Sequence, residues 1–168
     1  MLWKPIHDEI KFYTLREYDN VDVKCRRKDV FDVLTKNKAR RNFNVVIMQY
    51  LLSHLYNTCQ ISDIDDLYDN LIKYVLKYRH DDSPFLIIIN DIDCRYKGRD
   101  HFWPLQQKIK RAGYHGNVTA KCFKPNVYLE GAERYFSDVN KFSIPDPIKE
   151  YYNCAIRCES AQLIIEVR

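Results

Sequence analysis

The chain has 168 residues, the size of one domain, and a domain of this length can bury a core without disulfide or metal staples. Hydrophobic residues make up 46% and charged residues 30%, which excludes wholesale disorder. A formal net charge of +4 is milder than the composition of a dedicated nucleic-acid binder.

In chain order, the first expectation is a pair of short strands at 9–15 and 21–25. Ile10, Phe12 and Thr14 alternate, Tyr18-Asp19-Asn20 favours a turn, and Val21 and Val23 alternate after it. A short helix is expected next, beginning near Asp29 with Phe31 and Leu34 facing inward. Phe43, Val46, Ile47, Tyr50, Leu51, His54 and Leu55 recur with the period of one helical face. Ile64, Leu67, Tyr68, Leu71, Ile72, Val75 and Leu76 repeat that pattern after Ser62 or Asp63 as N-cap. With a short joint at 58–62, the two segments are predicted to form an antiparallel helical hairpin over 43–78.

The character changes after 81–84. Phe85-Leu86-Ile87-Ile88-Ile89 is a continuous apolar run bounded by turn residues, the pattern of a strand covered on both faces. A helix over 102–112 follows, with Pro104 in its first turn and Gly113 at its stop. Val118, Ala120 and Cys122 alternate as a strand. Ala132, Tyr135, Phe136, Val139 and Phe142 mark a further helix. Asp146-Pro147 opens another, carrying Ile148, Tyr151, Tyr152 and Ala155, and 162–167 closes as a strand. The second half therefore reads β-α-β-α-α-β. The expected fold is α/β or α+β, with a small sheet from 85–89, 118–123 and 162–167 covered by helices. One domain over 1–168 is expected; if it subdivides, the parts are 1–80 and 84–168.

The start of the chain has no apolar leader, and no apolar run approaches the length of a membrane span. A reducing compartment, cytoplasm or nucleus, and no membrane partner are the expectation. In such a compartment Cys25, Cys59, Cys94, Cys122, Cys154 and Cys158 read mainly as small buried hydrophobes. Cys154 and Cys158 stand one helical turn apart, yet a structural zinc site needs four ligands and no second close pair is present.

The residues with most chemical content are Asn90-Asp91-Ile92-Asp93, directly after the apolar run. Ligands of open α/β sheets gather beyond the carboxyl ends of strands. Carboxylates at i and i+2 project to the same side and repel, so a divalent cation between them is a natural resolution. Mg²⁺, held by Asp91 and Asp93, suits hard oxygen ligands. Glu166 or Asp100 could add a carboxylate, and His101 or His115 could act as general acid or base. Asp91, Asp93, Glu166 and His115 then make a candidate catalytic set for phosphodiester cleavage. The competing reading is structural: Asp91 caps a turn, and Asp93 pairs with Arg95 or Arg99. His54, on an apolar helical face, reads as a satisfied core histidine.

Basic residues gather at 24–28, 36–41, 95–99 and 108–111, and acidic ones at 63–69 and 81–82. Arg26, Arg27, Lys28, Arg40, Arg41, Arg95, Lys97, Arg99, Lys108 and Arg111 are the candidate phosphate contacts. Interleaved Tyr96, Phe102, Trp103 and Phe123 supply rings for stacking on exposed bases. The alternative for Phe102 and Trp103 is burial of at least one of them in the core.

The stretch 9–37, carried by Asn20-Val21-Asp22-Val23-Lys24-Cys25-Arg26-Arg27-Lys28-Asp29-Val30-Phe31-Asp32-Val33-Leu34, resembles the BRO-type N-terminal domain of large insect DNA viruses, related to KilA-N modules. That family pairs a β-hairpin with a helix opening on Lys-Asp-Val. Arg27 stands where the family carries an aromatic before the Lys-Asp pair. The resemblance implies viral nucleic-acid business, with Arg26, Arg27 and Lys28 at DNA phosphates. Two functions are carried forward: a nucleic-acid-associated protein with a metal-dependent nuclease site, and a non-catalytic protein that binds a partner or its own copies through 43–78 and its many tyrosines.

Overall fold

The apolar run at 85 builds the centre of the molecule. In the computed structural model, which describes residues 3–24, 28–35, 43–79, 83–94, 96–122, 132–134 and 160–168, the run extends into strand Phe85–Ile92. The described elements in chain order are α1 (Trp3–Glu17), α2 (Val30–Thr35), β1 (Val45–Gln49), α3 (Leu51–Asn57), α4 (Ile64–Tyr74), β2 (Phe85–Ile92), α5 (Phe102–Arg111), β3 (Gly116–Cys122), β4 (Ala132–Arg134) and β5 (Ser160–Val167). Single 3₁₀ turns at Ile61–Asp63, Leu76–Tyr78 and Arg99–His101 adjoin α4 and α5. The result is an α/β fold around a mixed five-stranded sheet of order β1-β2-β5-β3-β4. β1 and β2 run parallel, β5 runs antiparallel to both of its neighbours, and β4 runs parallel to β3.

Alternation along the strands separates two faces. Phe85, Ile87, Ile89 and Asp91 of β2 share rows with Val167, Ile165, Leu163 and Ala161 of β5, and all eight are buried. Leu52 and Leu55 of α3, Leu67, Tyr68 and Leu71 of α4, and Phe102, Leu105 and Ile109 of α5 complete this core. Each aliphatic side chain removed from water in this way contributes roughly 1.5–3 kcal/mol. On the second face Leu86, Ile88 and Ile164 are only half-buried, and Val45 and Ile47 of β1 are exposed. The strand at 85 is thus fully covered on one face, not on both.

α2, α4, α5, β3 and β5 lie where the sequence places them. α5 buries positions 102, 105, 106 and 109, and its run ends before Gly113, whose φ of 84° suits the helix stop. Two expectations fail. The segment 9–15 is part of the 15-residue helix α1, and 21–24 forms no strand. Three alternating positions are too few to oppose Glu9, Lys11, Leu15 and Arg16, which all favour helix. The hairpin expected over 9–25 is therefore not formed by the described residues 9–24.

The first arm of the helical hairpin also fails, because Val45–Gln49 is a strand. Its β-branched Val45-Val46-Ile47 gains a hydrogen-bonded partner in 86–90, and a four-residue apolar run satisfies either period. Tyr50, at φ 52°, turns the chain into the short helix α3. A division between 1–80 and 84–168 would fall between two adjacent strands of this sheet. Of the helix expected from 132, residues Ala132–Arg134 instead form β4, and the remainder, with the helix expected from 146, lies outside the described residues.

Candidate functional site

Because β1 and β2 are parallel, both deliver their carboxyl ends to the same side of the sheet, and the predicted acidic motif lies there. Asp91, the last residue of the buried row, has no exposed surface. Tyr50 occupies the N-cap position of α3, and its own side chain makes no capping bond. Asp91 takes that role from the neighbouring strand. The N–H of Leu52 donates to Asp91 Oδ2 at 2.8 Å, and the N–H of Ser53 reaches the two carboxylate oxygens at 3.2 and 3.3 Å. The N–H of Ile92 adds a donor to Oδ1 at 2.8 Å. A helix N-terminus leaves its first N–H groups without intrahelical partners, and a carboxylate is a strong acceptor for them.

The loop beyond β2 folds back over this cap. The Asp93 carboxylate is fully buried and paired with Arg99 Nη1. Arg99 Nε donates to Asp100 Oδ1 at 3.2 Å, while Asp100 Oδ2 accepts the N–H of Tyr96 at 2.9 Å. Burial disfavours the charge on Arg99, but Asp93 and Asp100 outweigh it, so the guanidinium is held above its ordinary range. The hydroxyl of Tyr68 donates to the carbonyl of His101 at 2.9 Å. Burial first, then the charges of Asp91 and Asp65, push that phenol well above its usual value. Gly98 lies so close that an added Cβ would stand 2.5 Å from the Ile92 carbonyl oxygen and 2.6 Å from Asp91 Oδ1.

The candidate catalytic set does not assemble. Glu166 pairs in register with Leu86 and Asp91 with Ala161, five positions apart along β2. At ~3.3 Å per residue that separates them by roughly 17 Å, and odd spacing puts them on opposite faces. Glu166 instead accepts Arg168 Nε at 2.7 Å, which holds its carboxyl below the usual range. His115 is exposed and adjoins Gly116, which pairs with Val167 at that same far end. Asp91 faces backbone donors, and Asp93 faces a guanidinium. Among the described residues no three His, Cys, Asp or Glu side chains group as metal ligands.

The basic positions divide. Arg99 is buried in its pairs, and Lys108 Nζ meets Asp69 Oδ1 at 2.6 Å and Asp65 Oδ1 at 3.6 Å. The Asp69 hydrogen bond, ahead of the Asp65 charge, holds Lys108 above its ordinary range. Lys97 Nζ sits 5.2 Å from the centre of the Tyr56 ring. Lys28 and Arg111 are exposed. Arg26, Arg27, Arg40, Arg41 and Arg95 lie outside the described residues, as do Cys25, Cys154 and Cys158. Cys59 is exposed and Cys94 half-buried, so neither is the fully buried thiol expected. His54 is likewise exposed on α3, since the core-facing stripe there is Leu52, Ser53 and Leu55. Phe102 is core, whereas Trp103 is exposed.

The helical course of 9–15 brings out a further feature, which the alternation of Ile10, Phe12 and Thr14 conceals. On α1, Ile10, Phe12, Tyr13 and Leu15 are 48%, 59%, 55% and 45% exposed, and Tyr18 just beyond is exposed as well. Phe12 and Tyr13 meet edge-to-face with ring centres 5.5 Å apart, and the Arg16 guanidinium lies 5.9 Å over the Tyr13 ring. A helical reading of the same residues would have found two apolar pairs at i, i+3, namely Ile10 with Tyr13 and Phe12 with Leu15.

No protein-family model, curated protein or solved structure matches the chain. No helix among the described residues is long and apolar enough to cross a membrane.

Proposed function

We propose that this protein works by binding a protein partner, without catalysis, and that α1 is the element it presents. The observation that carries this reading is the exposure of Ile10, Phe12, Tyr13 and Leu15 on one helix. Scattered single apolar side chains on a surface need no explanation, but here Ile10 with Tyr13 and Phe12 with Leu15 are i, i+3 neighbours, and the Phe12 and Tyr13 rings touch. Aromatic and arginine side chains are the residues that interface centres favour, and Phe12, Tyr13 and Arg16 are adjacent here. The engagement of Asp91 with the α3 backbone and of Asp93 with Arg99 supports a role in holding the fold. A photo-crosslinking amino acid at Phe12 is expected to give one discrete adduct in cells, lost with Leu15→Asp, while the same group at exposed Asp65 gives none. Identical patterns from both positions would refute the reading.

A second reading, single-stranded nucleic-acid binding, is favoured by the cation and rings beside the β2 loop. Lys97 lies over Tyr56, and the adjacent Tyr96 is 62% exposed. Rings of this kind stack on bases while cations hold phosphates. Affinity for a fluorescent single-stranded oligonucleotide should then fall steeply between about 50 and 200 mM salt, and Tyr96→Ala should weaken it by roughly 1–3 kcal/mol. A flat salt response removes this reading and leaves the first untouched.

A further inference from the structure

Where α5 ends and β3 begins, the helix and the sheet part enough to leave a cavity of about 400 Å³. Small-ligand sites fall in the range of roughly 300–1,000 Å³, with mostly apolar walls and a few polar groups that set orientation. Here Ile109, Val118 and Ile165 form the apolar wall, and Lys110, Tyr114 and His115 provide the polar groups. The sheet floor is held tightly, because the backbone at Gly116 approaches β5 so closely that an added Cβ would lie 1.6 Å from the Glu166 carbonyl oxygen.

None of the cavity's described lining residues is acidic, and Lys110 is among them. A second cation stands at the wall, since the Arg79 guanidinium lies 5.0 Å from the centre of the Tyr114 ring. The nearest carboxylate along β5, Glu166, is paired with Arg168. Low-dielectric walls beside positive charge concentrate the field on whatever enters.

We propose that this cavity binds a small organic anion with an apolar body, its carboxylate, sulfonate or phosphate toward Lys110 and its hydrocarbon part against Val118 and Ile165. This site is separate from α1 and does not depend on the reading of α1 as an interface.

The probe is 8-anilinonaphthalene-1-sulfonate, an anion on an aromatic body, titrated into the folded full chain and followed by its fluorescence. Saturable binding at one site is expected. Lys110→Glu, which reverses the charge at an exposed position, and Val118→Trp, which fills the cavity, should each weaken it by about tenfold or more. Lys73→Glu, an equal charge change on α4 outside the cavity, should leave it intact, and uncharged N-phenyl-1-naphthylamine should bind about tenfold more weakly. Non-saturable binding, equal binding by Lys110→Glu or by the uncharged naphthylamine, or emission that rises only as near-UV circular dichroism is lost would each overturn the proposal.

Discussion

The carboxylate of Asp91 accepts the backbone N–H of Leu52 at 2.8 Å across 39 positions of sequence, so the end of one strand caps the helix that follows its neighbour. This is a stability statement. Hydrogen bonds to charged groups contribute roughly 1.5–3 kcal/mol, and loss of an N-cap costs about 0.5–2 kcal/mol. Asp91→Ala should lower unfolding free energy by about 2–4 kcal/mol and Asp91→Asn by about 1–2 kcal/mol, read from urea denaturation. In a chain of this size each kcal/mol corresponds to roughly 2–4 °C in Tm. An Asp91 whose task was to hold a metal would leave the melting temperature of Asp91→Asn unchanged, so that result would remove the capping role.

The pair of Asp93 with Arg99 is buried on both sides, and breaking such a pair leaves one charge without its partner. Removal of one member typically costs about 3–5 kcal/mol, so Arg99→Ala is expected in that range. Asp93→Asn combined with Arg99→Gln should be less destabilised than the sum of the single changes, with a coupling of about 1 kcal/mol or more. Strict additivity in the double-mutant cycle would show that the contact carries no coupling. The more exposed Lys108–Asp69 pair offers the contrast: Asp69→Asn should change stability by no more than about 0.5 kcal/mol.

Gly98 has a steric reason to be glycine. A methyl group there would meet the Ile92 carbonyl and the Asp91 carboxylate well inside contact distance. Overpacking of this kind costs about 1–3 kcal/mol, and Gly98→Ala should show it as a lowered denaturation midpoint with unchanged m-value. Wild-type stability in Gly98→Ala would mean the loop does not rest on Asp91.

Tyr68 makes stability depend on pH at the alkaline end. Its folded-state pKa is raised, so the folded protein keeps the phenolic proton after the unfolded chain has lost it. Stability is unaffected below the unfolded value of about 10 and falls as pH rises above it. Tyr68→Phe forfeits the bond to His101, about 1 kcal/mol at neutral pH, but also abolishes this contribution to the slope. The difference between wild type and Tyr68→Phe should therefore narrow between about pH 9 and 11. A constant difference would exclude the phenol as the source.

Particular residues show where the sequence was readable. Positions 64, 67, 68 and 71 in α4 recur over several turns and point to one face, and Pro104 and Gly113 bracket α5. The run from Phe85 and the closing strand Ser160–Val167 were equally plain, because long apolar stretches between turn residues have few alternatives. β1 was not readable, since Val45-Val46-Ile47-Met48 fits a strand or a helix and its partner Leu86–Asn90 lies some forty residues away. α1 was missed for a related reason: Ile10, Phe12 and Thr14 alternate over only three positions. Of the acidic motif, its place at the carboxyl end of the apolar run was legible, though residues 90–92 belong to the strand itself, and so was the pairing of Asp93 with Arg99 as one of two options.

The sequence by itself determined the periodic elements, because the spacing of apolar residues along a chain directly states which face must leave water. Tertiary structure alone decided that β1 joins the sheet, that Asp91 caps α3, that Glu166 stands at the opposite end from it, and that Phe12 and Tyr13 of α1 remain exposed. The physical reason is that a carboxylate or a strand edge takes its role from whichever donors folding brings within about 3 Å. Those donors come from segments that local pattern does not connect.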